Sequence, residues 1–227
     1  MDEDERERAK RHAGERAAGA VEDGQVVGLG TGSTAAHAIR AIGRRVEDGL
    51  SVRGVPTSFQ SRQLAVESGI ELVGLDEAEG VDLAIDGADQ AAGADLVKGG
   101  GAAHAREKAV DAAADRLLVV VDPTKVVDVL SEPVPVEVLP DARVPVARAV
   151  RERGGEPTLR SAAGKDGPVV TDNGNLVLDC DFGRIDDPAD LAAWCSALPG
   201  VLEHGLFVDM ADELHLGQPD GVEVREL

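Results

Sequence analysis

Over its first 131 residues the chain alternates short apolar runs with longer mixed stretches. The runs near 25–29, 52–56, 82–86 and 117–121 predict strands, and the stretches near 5–22, 33–45, 59–68 and 101–114 predict helices. The densest run, Leu117–Val121, is five apolar residues in a row, the pattern of a central strand covered on both faces. Strands alternating with helices imply right-handed crossovers and a mainly parallel, Rossmann-like α/β sheet. After Ser131 the pattern changes. Pro133, Pro135, Pro140 and Pro145 punctuate an entry strand, followed by a helix near 144–153, a hairpin at Thr171–Asn175 and a helix near 188–197. A strand–helix–strand–strand–helix–strand order predicts a second, smaller ferredoxin-like α+β domain. The segments 212–216 and 222–224 are expected to return to the first domain. The expected division is therefore 1–131 plus 204–227 and, separately, 132–203. No internal repeat or low-complexity linker interrupts it.

The chemistry gathers where predicted strands end. Val26-Val27-Gly28-Leu29 runs into Gly30-Thr31-Gly32-Ser33-Thr34, a buried strand, a glycine turn and a helix start. Bare N–H groups and three hydroxyls suit a phosphate. The same turn also fits a dinucleotide fold, although the acidic ribose-binding residue expected about twenty positions on is not evident. A Gly-Lys-Ser/Thr ending is missing, which excludes a nucleoside-triphosphate loop. The segment from Asp86 to Glu107 reads Asp86-Gly87-Ala88-Asp89-Gln90, then Lys98-Gly99-Gly100-Gly101, then Glu107. Lys98, the glycine N–H groups and the start of the next helix can stabilise an anion. Glu107, about one and a half turns into that expected helix, can move a proton. Asp86 also fits a cap or turn role. Lys125 lies just past the end of the Leu117–Val121 strand, the edge at which ligands collect in open α/β sheets.

Composition narrows the partners. The 227 residues carry 43 acidic and 23 basic side chains, a formal charge of −20. That balance argues against nucleic acid and anionic membranes, because no basic patch is present to neutralise phosphates. The 18 arginines outnumber five lysines, aromatics are 2%, and the acids are dispersed, a pattern that resembles cytoplasmic proteins of salt-accumulating halophiles. Cys180 and Cys195 need not pair, which fits a reducing cytoplasm. The five histidines show no metal-ligand spacing. The acidic N-terminus is unlike a signal peptide, and no apolar run approaches a membrane span.

Taken together, Gly-Leu-Gly-Thr-Gly-Ser-Thr at 28–34, Asp-Gly-Ala-Asp at 86–89, Lys-Gly-Gly-Gly at 98–101, Arg-Glu-Lys at 106–108 and the strand-end Lys125 resemble type A ribose-5-phosphate isomerase. The segments 134–140, 170–175 and 199–207 resemble that family too, in order over nearly the whole chain. The resemblance implies interconversion of ribose 5-phosphate and ribulose 5-phosphate in the pentose phosphate pathway, with no metal or organic cofactor. It implies Glu107 as proton acceptor, and substrate binding by Thr31 to Thr34, Asp86 to Asp89, Lys98 to Gly101, and Lys125. Moving a carbonyl between C1 and C2 requires taking a proton from one carbon and delivering it to the other, and one carboxylate can do both through a cis-enediolate. Lys98 with the 99–101 backbone is then the donor set for the enediolate oxygens, and Asp86 and Asp89 hold the sugar hydroxyls. One departure is Gln90, where the family usually has glutamate; Gln90 is expected behind the site or at the surface past the strand end. The alternative is a sugar-phosphate-sensing module of the same fold that binds without turnover. A nicotinamide-dependent oxidoreductase rests on the Gly28–Gly32 turn alone. The expected partners are a small sugar phosphate and further copies of the chain, as a dimer or tetramer.

Overall fold

Leu117–Val121 is buried along its whole length, as a strand covered on both faces must be. The computed structural model describes residues 1–164 and 166–227. In chain order its elements are α1 (Glu3–Ala18), β1 (Val26–Leu29), α2 (Ser33–Glu47), β2 (Arg53–Pro56), α3 (Phe59–Glu67), β3 (Glu71–Leu72), β4 (Leu83–Gly87), β5 (Gln90–Ala92), β6 (Asp95–Val97), α4 (His104–Ala112) and β7 (Leu117–Val121). They continue as β8 (Val134–Val138), α5 (Arg143–Glu152), β9 (Glu156–Leu159), β10 (Leu176–Asp181), α6 (Pro188–Ser196), β11 (Val201–His204), β12 (Leu206–Phe207), β13 (Glu213–Gln218) and β14 (Gly221–Glu226). Two compact units result. One comprises Met1–Ala88, Arg106–Val126 and Met210–Leu227, the other Asp89–Ala105 and Val127–Asp209.

The first unit is built on a seven-stranded sheet in the order β14-β13-β7-β4-β1-β2-β3, parallel throughout except for the β13–β14 hairpin. Strand side chains alternate between faces. Val27, Leu29, Leu83, Ile85, Leu118 and Val120 pack with Ala13 and Ala17 of α1 and Ile39 and Ile42 of α2. Val26, Val55 and Val81 pack with Val110 of α4 on the other face. Gly28 permits that second packing: a Cβ built there would lie 2.8 Å from Val110 Cγ1. The expected mainly parallel α/β sheet is what forms.

In the second unit β11-β8-β10-β9 make an antiparallel sheet, the ferredoxin-like order expected of the strand–helix–strand–strand–helix–strand pattern. Val134, Val136 and Val138 of β8 enter a core with Val146, Val150, Leu178 and Leu191. Glu137, between them, points to the opposite face and is fully buried. Its carboxylate accepts from Thr171 Oγ1 at 2.7 Å, Asn175 Nδ2 at 2.9 Å and Asn173 Nδ2 at 3.1 Å, which docks the 171–175 hairpin. A three-stranded sheet, β12-β6-β5, completes this unit. Residues 89–105, expected with the first domain, cluster here because Val97 and Leu96 pair with Leu206 and Phe207.

Candidate active site

Parallel neighbours β2, β1, β4 and β7 present their carboxyl ends on one edge of the first unit's sheet. The carboxyl ends of β1, β4 and β7 and the segments that follow them carry Thr31–Thr34, the last of these opening α2, Asp86–Ala88, which closes β4, and Lys125, so this edge brings those candidates together. Asp86, 1% exposed, locks two of the turns: its Oδ1 accepts from Thr31 N at 3.0 Å and Gly87 N at 2.7 Å. Gly30 makes this approach possible. The Thr31 hydroxyl shares hydrogen bonds of 2.7 Å with Thr57 Oγ1 and Ser58 Oγ, from the turn after β2. These two hydroxyls were not singled out by the sequence reading. The signal available was the Ser58–Ser61 pairing that caps α3.

Gly32 caps α2 with φ +116, a conformation that favours glycine, and no side chain caps the helix. The N–H groups of Ser33 and Thr34, in the first turn, have no partner within the helix, so α2 offers an anion site at its start. Lys125 ends a short 3-10 turn, Pro123–Lys125, capped by Asp122. Asp122 is buried, which raises its carboxyl. Hydrogen bonds from the Thr124 hydroxyl and N–H, with Arg6 at 3.0 Å, outweigh burial and hold it below the usual range.

α4 begins at His104 rather than near 101, because Ala102 takes the left-handed φ of +59 and breaks any helix there. Glu107 therefore stands in the first turn and not one and a half turns in. It is 4% exposed and lies three residues before Val110, on the helix face that packs against the sheet. A cleft lined by Val55, Arg62, Ile70, Leu75, Arg106 and Val110 holds none of the candidate residues.

Asp89, Lys98, Gly99, Gly100 and Gly101 belong to the second unit. Asp89 Oδ2 accepts from Gly100 N at 2.6 Å, and Asp89 N donates to Val97 O at 2.8 Å. Lys98 is 2% exposed, with Nζ 5.1 Å from the Phe207 ring centroid and its N–H on Gly205 O. His104 packs beneath Gly99, whose φ is +107. Gln90 is not at the surface. It is buried, accepting from Ser131 N at 2.6 Å and Glu132 N at 3.1 Å and donating to Ser131 Oγ at 3.3 Å. Arg160, bound to Asp179, donates to Gly99 O at 2.8 Å and Gly100 O at 3.1 Å. No sequence signal pointed to it. Among the described residues no group of three or more His, Cys, Asp or Glu side chains could hold a metal ion, and no helix is long and apolar enough to cross a membrane.

Residues 53–221 match the family model of ribose 5-phosphate isomerase A (phosphoriboisomerase A). The chain belongs to this family. It is 71% identical over 219 residues to ribose-5-phosphate isomerase A of Haloarcula marismortui, covering 96% of each chain. The solved ribose 5-phosphate isomerase A of Methanocaldococcus jannaschii superposes with a TM-score of 0.92 at 44% identity, over 96% of this chain and 98% of that one. A D-ribose-5-phosphate isomerase solved in complex with phospho-erythronic acid superposes with a TM-score of 0.96 at 40% identity over all of both chains. The ribose 5-phosphate isomerase A family thus accounts for both the parallel sheet and the smaller antiparallel one.

Proposed function

We propose that Glu107 is the proton carrier in the interconversion of D-ribose 5-phosphate and D-ribulose 5-phosphate, the isomerisation that family membership gives this chain. The observation that carries the reading is the burial of Glu107 in the first turn of α4, a carboxylate kept from bulk water on the helix face that meets the sheet. Glu107 takes a proton from one of the two reacting carbons and returns it to the other, and the negative charge rests meanwhile on the enediolate oxygens. Lys98 and the N–H groups of Gly99 and Gly101 are the donors we assign to that charge, with the Gly100 N–H holding the Asp89 carboxylate beside them. Asp86 and Asp89 hold the sugar hydroxyls, with Gly87 and Ala88 as backbone contacts. Thr31, Gly32, Ser33, Thr34 and the start of α2 receive the phosphate, with Lys125 as its cation. The phospho-erythronic acid in the solved relative supports this division, since it pairs a phosphate with a carboxylate that can stand for the enediolate. The relatives bear an enzyme's name, which favours turnover over a sensing module.

The acidic, lysine-poor surface supports work in a salt-rich cytoplasm, and we assign the chain a homo-oligomeric state, dimer or tetramer. The deciding experiment measures isomerisation of ribose 5-phosphate in molar potassium chloride by the native chain and Glu107→Gln. The amide keeps size and removes the base, so binding persists and most turnover is lost, on the order of 10²–10⁴-fold. Equal rates would remove Glu107 from this role.

A further inference from the structure

Arg160 follows β9 and is fixed on both sides by backbone: its N–H donates to Val177 O at 3.0 Å, and its carbonyl accepts from Val169 N at 2.9 Å. Opposite Val177 and two residues on lies Asp179, a diagonal neighbour across the β9–β10 pair. Asp179 grips the guanidinium with both oxygens, Oδ2 accepting from Nε at 2.9 Å and Oδ1 from Nη2. That leaves Nη1, and Nη1 donates to two consecutive carbonyls, Gly99 O at 2.8 Å and Gly100 O at 3.1 Å. Side chains on one sheet thus hold a glycine turn about sixty positions away along the chain.

The consequence follows from peptide geometry. In a trans peptide the C=O and N–H point in opposite directions, and no peptide bond described here is cis. Drawing Gly99 O onto Arg160 turns Gly100 N–H away from it, and that N–H meets Asp89 Oδ2 at 2.6 Å. Drawing Gly100 O the same way turns Gly101 N–H away from the arginine as well. Glycine peptides resist such rotation least of all. Ala102 N–H also holds Gly99 O, at 2.9 Å, so Arg160 adds a second hold there and holds Gly100 O besides; without it the turn would sample more orientations, and Asp89 would lose a fixed partner. Lysine could not substitute, because only the planar fork reaches a carboxylate and two carbonyls at once.

We propose that Arg160, oriented by Asp179, is a positioning residue for the isomerisation: it sets the Gly99 and Gly100 peptides and, through Gly100 N–H, the Asp89 carboxylate. The inference rests on the reading above that Asp89 and the 98–101 turn bind substrate. It adds to that reading a pair of residues, Arg160 and Asp179, that touch no substrate.

The test compares native chain, Arg160→Lys, Arg160→Ala, Asp89→Asn and the double variant Arg160→Ala with Asp89→Asn, with Glu107→Gln as control. For Arg160→Lys we expect kcat about ten- to hundredfold lower, as a misplaced group produces, with KM nearly unchanged and melting temperature near native. Millimolar methylguanidinium should restore part of the kcat of Arg160→Ala, and the double variant should be no slower than the slower single one. A native kcat in Arg160→Lys, losses that multiply in the double variant, or a loss that merely follows a lowered melting temperature would overturn the proposal. If Arg160→Ala does not fold, Arg160→Lys decides alone. A native chain that does not isomerise ribose 5-phosphate overturns both readings. An active native chain with inactive Glu107→Gln but unaffected Arg160→Lys overturns this one only.

Discussion

Gly30 passes over Asp86 with no room for a side chain: a Cβ built on Gly30 would stand 2.6 Å from Asp86 Cα. The neighbouring amide, Thr31 N–H, is bound to the same residue's carboxylate. Gly30→Ala must therefore push the turns after β1 and β4 apart, at a cost typical of overpacking, about 1–3 kcal/mol. Denaturant melts should show that loss, and isomerase activity should fall further than Gly80→Ala makes it fall, since open space surrounds Gly80 and its φ is one that any residue adopts.

Gln90→Glu tests the position at which the sequence departs from the motif it resembles. The two amides that Gln90 Oε1 satisfies, Ser131 N and Glu132 N, are served equally by a carboxylate oxygen, and the Ser131 hydroxyl can turn to donate instead of accept. The rate should change by less than about tenfold, under 1.4 kcal/mol of barrier. Gln90→Leu leaves both amides without an acceptor and should lower stability by about 1–3 kcal/mol. A thousandfold gain in Gln90→Glu would contradict the anchoring role.

Acid should destabilise the fold in two stages. Burial lowers the pKa of His215 from its ordinary 6.5 despite Glu213 at 3.0 Å, so the neutral ring is the favoured form. A depressed folded pKa gives stability that is present above about pH 6.5 and lost as pH falls through the lower folded value. Asp122, depressed by Thr124 and Arg6 against its burial, contributes stability present above about pH 3.9 and lost below that. Thermal melts from pH 7 to about pH 2 should show both steps, with His215→Gln flattening the first and Asp122→Asn the second.

Salt should stabilise. Twenty net negative charges repel over a Debye length of about 10 Å at 0.1 M ionic strength and about 3 Å at 1 M. Melting temperature and activity should both rise with potassium chloride toward molar levels. A flat or falling melting temperature would show that the acidic surface is not a salt adaptation.

The elements of the first unit were legible because each carries its own pattern. Leu117–Val121 has no polar face to expose, and Val26–Leu29 runs directly into glycines that only a turn accommodates. By residue type alone the Lys-Gly-Gly-Gly segment pointed to anion stabilisation and the Asp-Gly-Ala-Asp segment to hydroxyl binding. The β5–β6 hairpin was not legible, since three-residue strands are too short to show alternation, and its partner β12 lies over a hundred positions away. For the same reason the sequence could not say what holds each candidate. Thr31 and Asp86 are 55 positions apart, Gln90 and Ser131 41, Arg160 and Gly99 61. Local periodicity encodes which face of an element is buried. A hydrogen bond depends on distance and direction between elements, and those exist only once the sheets have closed on their cores. The sequence by itself determined the strands, the turns and the chemical types at their ends; the tertiary structure alone decided that Asp86 locks the Thr31 turn and that Arg160 steadies the glycines.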